Sequence, residues 1–226
     1  MDSLLNNIGL AEFWAPVQLS IKVAVLSSVF IILLGTLTGR LMARASFRGK
    51  AAVETLIMLP LVLPPTVVGF FLIIIFGRNS IIGQGIEQLF DQPVIFTWWA
   101  AVIASLVVAF PLMYQTAKSG FTDIDSAVEE AGRVDGGSEW KVFLYLSVPL
   151  AARSLLSGSV LSFARALGEF GATFMFAGNI PGQTQTIPTA IYVALDSGNM
   201  HLAWLWVGAI MLISFFMLLL VQLKKW

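Results

Sequence analysis

The chain has no cysteine, a single histidine, and only 12% charged residues, thirteen basic against thirteen acidic, in a total of 226. Without cysteine there is no disulfide framework and no thiolate metal site, although the redox compartment stays open. His201 stands outside any H-E-x-x-H pattern, which argues against zinc, and it reads as an interface residue at the start of the last apolar run. No G-x-S-x-G occurs, and no G-x-x-x-x-G-K-[ST], so a nucleophile elbow and a P-loop are both missing. Any nucleotide-driven energy source therefore has to sit on a separate subunit. Asp123-x-Asp125 lacks the glycine and the distal glutamate of a calcium loop and suits a helix start better. The net charge is zero, so nothing favours a polyanionic partner in general. No Lys or Arg precedes Lys22, so the basic n-region of a cleaved leader is missing and the first apolar run is expected to be retained. The chain reads as a non-enzyme with no metal and no cofactor.

What is abundant is apolar surface. Hydrophobic residues make up 58% of the chain and the mean hydropathy is +0.86, the signature of a polytopic membrane protein. About twenty apolar residues are needed to cross a bilayer as a helix. Five stretches qualify: roughly Val17 to Met42, Val53 to Phe76, Pro93 to Ala117, Pro149 to Ala177 and Leu202 to Leu223. This predicts an all-α integral membrane protein, with an outer segment over residues 1–16 and one membrane domain over 17–223. Arg40, Arg44, Arg48, Lys50, Lys118, Arg133, Lys141, Lys224 and Lys225 fall on one side of these spans, and only Arg78 lies in the loops of the other. The positive-inside rule then puts the N-terminus outside and the C-terminus in the cytoplasm. Trp14, Trp98, Trp99, Trp204 and Trp206 at outer ends and Trp226 at the inner end suit an aromatic belt of interface anchors. Phe215, Phe216 and Met217 of the last span read as lipid-facing or packing positions.

Between the third and fourth spans lies a charged, glycine-hinged island, Ser126 to Pro149. Ser126-x-x-Glu129 fits a capping box for one short helix, and Asp135-Gly136-Gly137-Ser138 supplies a turn. Ser138 can cap a second helix that has to end by Pro149. A helix-turn-helix of this length is also an arrangement that reads DNA. However, Asp123, Asp125, Glu129, Glu130, Asp135 and Glu139 face only Arg133 and Lys141, a surface that repels phosphate, so no nucleic acid is expected. The pattern Glu130-Ala131-Gly132-x-x-x-Gly136, with Pro149 twelve intervening residues later, resembles the EAA loop of ABC importer permeases, which docks on a cytoplasmic ATPase. Gly132 stands where that motif usually has its second alanine, and Asp135 where it usually has leucine. The resemblance implies that Glu129, Glu130, Ala131, Gly132, Gly136 and Pro149 carry the coupling, within a loop of about residues 121–148. Ala131 and Gly132 would admit another backbone, Glu130 would offer charge, and Gly136 would allow the sharp turn.

Two apolar spans are chemically marked. Leu59-Pro60-Leu61-Val62-Leu63-Pro64-Pro65 cannot be a straight helix, and its freed carbonyls either line a transport route with Pro64 and Pro65 or belong to a packing kink. Gly69 fits a close helix contact. At helical spacing Ser154, Gly158, Ser162, Arg165, Glu169 and Thr173 share one face of the fourth span, opposite Leu156, Val160, Phe163, Leu167, Phe170 and Phe174. A charge at mid-span has to face protein or water. Two readings stand: Arg165 and Glu169 form a self-neutralised tie at i,i+4, or Ser162, Arg165, Glu169 and Thr173 line a gated path that tolerates anions.

The run Ala166-Leu167-Gly168-Glu169-Phe170-Gly171-Ala172-Thr173 and the LPLVLPPTVVG of the second span resemble permeases of molybdate, sulfate and tungstate importers. The continuation GNIPGQTQTIP, residues 178–188, is most similar to molybdate permeases. The resemblance implies a type I ABC importer transmembrane domain, a homodimer in the bacterial inner membrane with membrane lipid around it. It further implies two cytoplasmic ATPase subunits and a periplasmic molybdate-binding protein that delivers the tetrahedral dianion. Sulfate, thiosulfate or tungstate is the alternative cargo, and an ATP-independent secondary transporter is the alternative machine. In the outer loop Gln183, Thr184, Gln185, Thr186 and Thr189 offer neutral donors, either to guide an oxyanion or as a solvated surface for a partner protein. Residues 187–195 suit a short interfacial helix, and Asp196 a contact with a basic group of the delivery protein.

Overall fold

In the computed structural model, which describes residues 10–223, every regular element is a helix. In chain order these are α1 (Leu10–Arg44), α2 (Lys50–Val62), α3 (Pro65–Phe76), α4 (Ile81–Phe90), α5 (Trp98–Thr122), α6 (Ser126–Val134), α7 (Glu139–Leu150), α8 (Ala152–Leu167), α9 (Gly171–Phe176), α10 (Ile187–Asp196) and α11 (Met200–Leu223). Three stretches are long and apolar enough to cross a bilayer unbroken: Glu12–Arg44, Trp98–Thr122 and Met200–Leu219. The count reaches the expected five when each of two bent pairs is taken as one span, α2 with α3 at 115° and α7 with α8 at 75°.

The breaks follow from backbone chemistry. α2 stops at Val62 because a residue before proline is driven out of the helical region, and Leu63 and Pro64 are both extended with ψ of 145° and 135°. Pro65 then opens α3 at the first helical position, where its missing N–H has no partner to lose. The stretch Val53 to Phe76 is thus two helices. Pro149 to Ala177 also differs from expectation. The island's second helix runs through Pro149 to Leu150 and turns at Ala151, α8 covers Ala152–Leu167, and Gly168 to Phe170 interrupt the run before α9. Pro149 has no N–H to give to Tyr145, and the turn ahead of it, Phe143–Ser147, widens into π form.

α5 is the central strut. Its buried residues include Ala100, Ala101, Ala104, Ser105, Ala109 and Ala117, small side chains that let neighbouring backbones approach. α1 approaches it through Gly35-x-x-x-Gly39: a methyl group on Gly39 would lie 2.7 Å from the Ala117 Cβ and 2.9 Å from the Lys118 backbone nitrogen. Around α5 one apolar cluster joins α1, α3 and α9 (Val23, Val68, Leu72, Phe176) and a second joins α1 and α8 (Ile31, Met113, Phe121, Ala166). A third seats α10 against α1 and α11 through Val17, Ile187, Ala190 and Trp206.

Several expectations are corrected at the edges. α1 begins at Leu10, inside the segment 1–16, and Pro16 lies within it. Residues 1–9, with Asp2, and Lys224, Lys225 and Trp226 lie outside the described residues. Trp206 is no headgroup anchor. It is 3% exposed and its indole donates to the Phe13 carbonyl at 3.1 Å, whereas Trp14 and Trp204 are exposed as an anchor requires. Trp98 stacks on Trp99, and the Lys22 ammonium sits 3.7 Å from the Trp98 ring centroid. Phe215 and Phe216 face away from the rest of the chain.

Candidate functional site

The island is built as two short helices, with one change of cap. Asp125, not Ser126, caps α6: its carboxylate accepts from the Ala127 N–H at 3.0 Å, and the capping box is not formed. A carboxylate one residue earlier already satisfies the orphan donor, which leaves Ser126 exposed and Glu129 available for another task. Gly136 adopts φ 86°, the left-handed turn its position demands, and Ser138 caps α7 by accepting from the Lys141 N–H.

Glu129 points inward and is 2% exposed. Arg40 of α1 grips it with both guanidinium ends, Nη1 to Oε1 at 2.7 Å and Nη2 to Oε2 at 3.0 Å. Arg44 reaches Oε2 at 3.1 Å, and the Ser147 hydroxyl of α7 donates to Oε1 at 2.8 Å. Arg44 also donates to the Ile124 carbonyl at 3.2 Å, which ties the connector into the same cluster. Burial alone would raise this carboxyl's pKa. Hydrogen bonds from Arg40, Ser147 and Arg44 outweigh burial and hold it below the ordinary glutamate value. One turn on from Glu129, Arg133 lies 3.8 Å from Glu129 Oε2 and donates to Glu139 at 2.6 Å, bracing the two island helices.

The other coupling candidates divide by side. Glu130 and Ala131 are exposed, Val134, Trp140 and Tyr145 are among the most open apolar side chains of the island, and Pro149 is exposed near its end. Gly132 faces Leu146 of α7, so its open side is filled by the island itself. Arg40, Arg44 and Ser147 escaped sequence reasoning. The two arginines entered it only as counts of positive charge, and no local pattern links positions 89 residues apart.

Of the path candidates, Pro65 lies where the two interrupted spans touch. Pro65 packs on Gly171, where an added Cβ would come within 2.8 Å of the proline ring, and Gly69 lies against Ala172 and Met175. Arg165 Nη1 donates to Glu169 Oε2 at 2.6 Å, while Glu169 Oε1 accepts from the Ala172 N–H at 2.8 Å. Glu169 therefore both neutralises Arg165 and caps α9. It is buried, while 30% of the Arg165 side chain remains open. Thr173, 1% exposed, carries a buried hydroxyl with no protein hydrogen-bond partner. Ser162 is spent locally, its hydroxyl donating to the Gly158 carbonyl at 2.7 Å on the face that packs against Thr116 and Met113 of α5. Ser162 thus lies in a helix contact, one to two turns before the Gly168–Phe170 break of its own span.

The threonines of the loop after α9 are likewise engaged. Thr184 accepts from the Ile180 N–H at 2.9 Å, and Thr189 donates to the Thr186 carbonyl at 2.8 Å. The Ser20 hydroxyl of α1 accepts from the Ile187 N–H at 2.7 Å, so this loop is a buried turn stitched to α1; Gln183 and Asp196 stay on its surface.

The family model described as "Binding-protein-dependent transport system inner membrane component" matches residues 23–224. A protein of Bacillus subtilis (strain 168) named "Putative molybdenum transport system permease protein YvgM" is 67% identical over 225 residues, covering 100% of this chain and 99% of the relative. The molybdenum transport system permease protein ModB of Escherichia coli (strain K12) is 41% identical, covering 81% of this chain and 80% of its own. The sulfate transport system permease protein CysW of Synechococcus elongatus is 30% identical, covering 95% and 76%. A crystal structure of a bacterial ABC transporter involved in the import of the acidic polysaccharide alginate superposes with a TM-score of 0.72 at 14% identity, over 98% of this chain and 79% of that one. The MetNI methionine ABC transporter in an inward-facing form gives 0.69 at 13%, over 94% and 95%, a likeness of fold. A charged two-helix projection, two interrupted spans in contact and this set of relatives lead to one assignment: the chain belongs to the family of binding-protein-dependent transport system inner membrane components, as a permease subunit.

Proposed function

We propose that this chain is the membrane subunit of an ATP-driven importer of molybdate, acting by alternating access. The observation that carries the cargo is the 67% identity, over the full length, to a protein named for molybdenum transport, supported by 41% identity to ModB. The positive-inside count supports an outer N-terminus and a cytoplasmic island and C-terminus. The exposed side of the island, with Glu130, Ala131, Val134, Trp140 and Tyr145, is the surface for a cytoplasmic ATPase, and its braced other side makes it a stiff projection. Two copies of the chain enclose the path, two ATPase subunits drive it, and a periplasmic binding protein delivers the dianion.

Pro64, Pro65, Arg165, Glu169 and Thr173 form the part of the path that changes shape. Both spans are already interrupted there, so hinge motion opens no helix that was closed. Arg165 supplies the positive charge, and Glu169 partly offsets it, so a dianion is attracted without being trapped. Ser162 holds α8 against α5. A second reading, sulfate as cargo, has the 30% identical CysW in its favour. ATP-dependent uptake of molybdate into vesicles holding the chain, its ATPase and its binding protein, with tungstate and sulfate as competitors, decides between them. Preferential sulfate uptake overturns the molybdate assignment. Arg165→Ala is expected to lower uptake at least ~10-fold, the worth of a hydrogen bond to a charged group, with assembly intact.

A further inference from the structure

The Glu129 cluster lies on the side of the island that faces away from any ATPase, so contact with the engine does not account for it. Four segments converge on one carboxylate: α1 through Arg40 and Arg44, α6 through Glu129 itself, α7 through Ser147, and the α5–α6 connector through the Ile124 carbonyl held by Arg44. Glu129 is 2% and the Arg40 side chain 14% exposed, so separating them would strand charge away from water. A forked, two-bond pair also resists rotation as a single contact does not.

From Arg40 the connection continues along α1. One residue before it, Gly39 brings the α1 backbone against Ala117 and Lys118 of α5, and Gly35 does the same against Met113 one turn further into the membrane. α1, α5 and the island thus form one stiff frame. The other two elements near it are interrupted, α2 from α3 by Leu63-Pro64 and α8 from α9 by Gly168 to Phe170. α2 is held to the frame through a Lys118–Glu54 contact of 2.6 Å that is about a quarter exposed on both sides.

We infer that Glu129 is a positioning residue that makes the inner end of α1 move with the island. The stroke delivered to α6 is carried by Arg40 into the α1–α5 pair, and the Pro64-Pro65 and Gly168–Phe170 interruptions absorb the difference. This inference rests on the importer reading given above, and it concerns a residue other than the exposed glutamate of the EAA-like motif.

The test uses the chain assembled with its ATPase and binding protein, with spin labels at the exposed positions Leu41 on α1 and Ser126 on α6, the latter outside the surface assigned to the ATPase. In the wild type the distance between labels stays constant on nucleotide addition. Glu129→Gln keeps the shape and removes the charge; it is expected to broaden that distance and make it nucleotide-dependent. In the same variant the molybdate moved per ATP hydrolysed falls by roughly 2- to 30-fold, the range of coupling effects seen for residues remote from ligands. Arg40→Lys retains the charge without the fork and serves if Glu129→Gln does not assemble; its loss is expected to be smaller than that of Arg40→Ala. A purely structural role lowers the amount of assembled complex while leaving molybdate per ATP and the label distance unchanged. That result, or a wild-type label distance that shifts with nucleotide, overturns the proposal. Absence of ATP-dependent uptake by the wild type defeats the importer reading and this inference together, whereas wild-type coupling in both variants defeats the inference alone.

Discussion

Two glutamates of this protein are almost completely buried and both are bound by arginine, yet they hold different things together. Glu129 takes Arg40 from 89 residues away and is also held by Arg44 and Ser147, while its local i+4 partner, Arg133, stands off at 3.8 Å. Glu169 takes Arg165 from four residues away and spends its other oxygen on the N–H of Ala172, three residues on. The first is a tertiary joint between an exposed lever and the frame of the bundle. The second is a local clip that fixes how one interrupted span resumes. A buried carboxylate with remote partners transmits displacement between elements, and one with local partners sets a bend and lets its surroundings move.

That contrast can be broken by experiment. Replacing Glu129 with leucine leaves Arg40 and Arg44 facing each other without their counter-charge, and the loss should be about 3–5 kcal/mol, the range for removing one partner of a buried pair. Thermal unfolding in detergent, read from intrinsic fluorescence, measures it. The same carboxylate gives the joint a defined pH window. Its pKa in the folded chain lies below 4.5, the ordinary glutamate value. The stabilisation is therefore complete above that value and is lost as pH falls through the lower, folded pKa. The difference in Tm between wild type and Glu129→Leu should accordingly be constant from neutral pH down to about pH 5 and shrink below the ordinary glutamate range. A difference that already narrows between pH 7 and 6 contradicts this account.

Glu169→Leu should cost less, roughly 1–3 kcal/mol, the penalty for leaving a donor unsatisfied. Arg165 keeps a partly open side chain and can find water, and one N–H of α9 loses its acceptor. If Glu169→Leu is as damaging as Glu129→Leu, the distinction between joint and clip fails.

The sequence revealed these two residues unequally, for a physical reason. The i,i+4 spacing of Arg165 and Glu169 is a property of helix geometry, so their pairing was readable before any fold was known. Likewise readable were the prolines that break the second span, the glycine turn at Gly136, and the resemblance that placed the island. Glu129 was assigned to a capping box because Ser126-x-x-Glu129 satisfies that pattern, and the pattern contains nothing about Arg40. The partnership exists only because Gly35 and Gly39 bring α1 against α5 and so carry Arg40 to the island. Those two glycines form a G-x-x-x-G in plain view, and reading them as a helix contact would have brought the C-terminal end of α1 into the site. The polar loop after α9 misled in the opposite direction. Composition made Thr184, Thr186 and Thr189 look available to solvent or cargo, but in a turn packed against α1 the Thr184 and Thr189 hydroxyls bond to local backbone and the Thr186 hydroxyl pairs with that of Thr189.

The smallest effect tests why Glu129 is available for the joint at all. Had Ser126 capped α6, the side chain three residues on would have been drawn back to the helix start, in competition with Arg40. Asp125 removes that competition by accepting from the Ala127 N–H. Asp125→Ala should therefore cost ~1 kcal/mol, the usual worth of an N-cap, while Ser126→Ala, at an exposed position with no capping bond, should change the unfolding midpoint hardly at all. With the cap gone, Ser126 becomes the nearest substitute, so the double variant Asp125→Ala/Ser126→Ala should lose more than the sum of the two single changes. If instead Ser126→Ala alone matches Asp125→Ala, the box forms in solution, and Glu129 divides its time between the helix start and the arginines of α1.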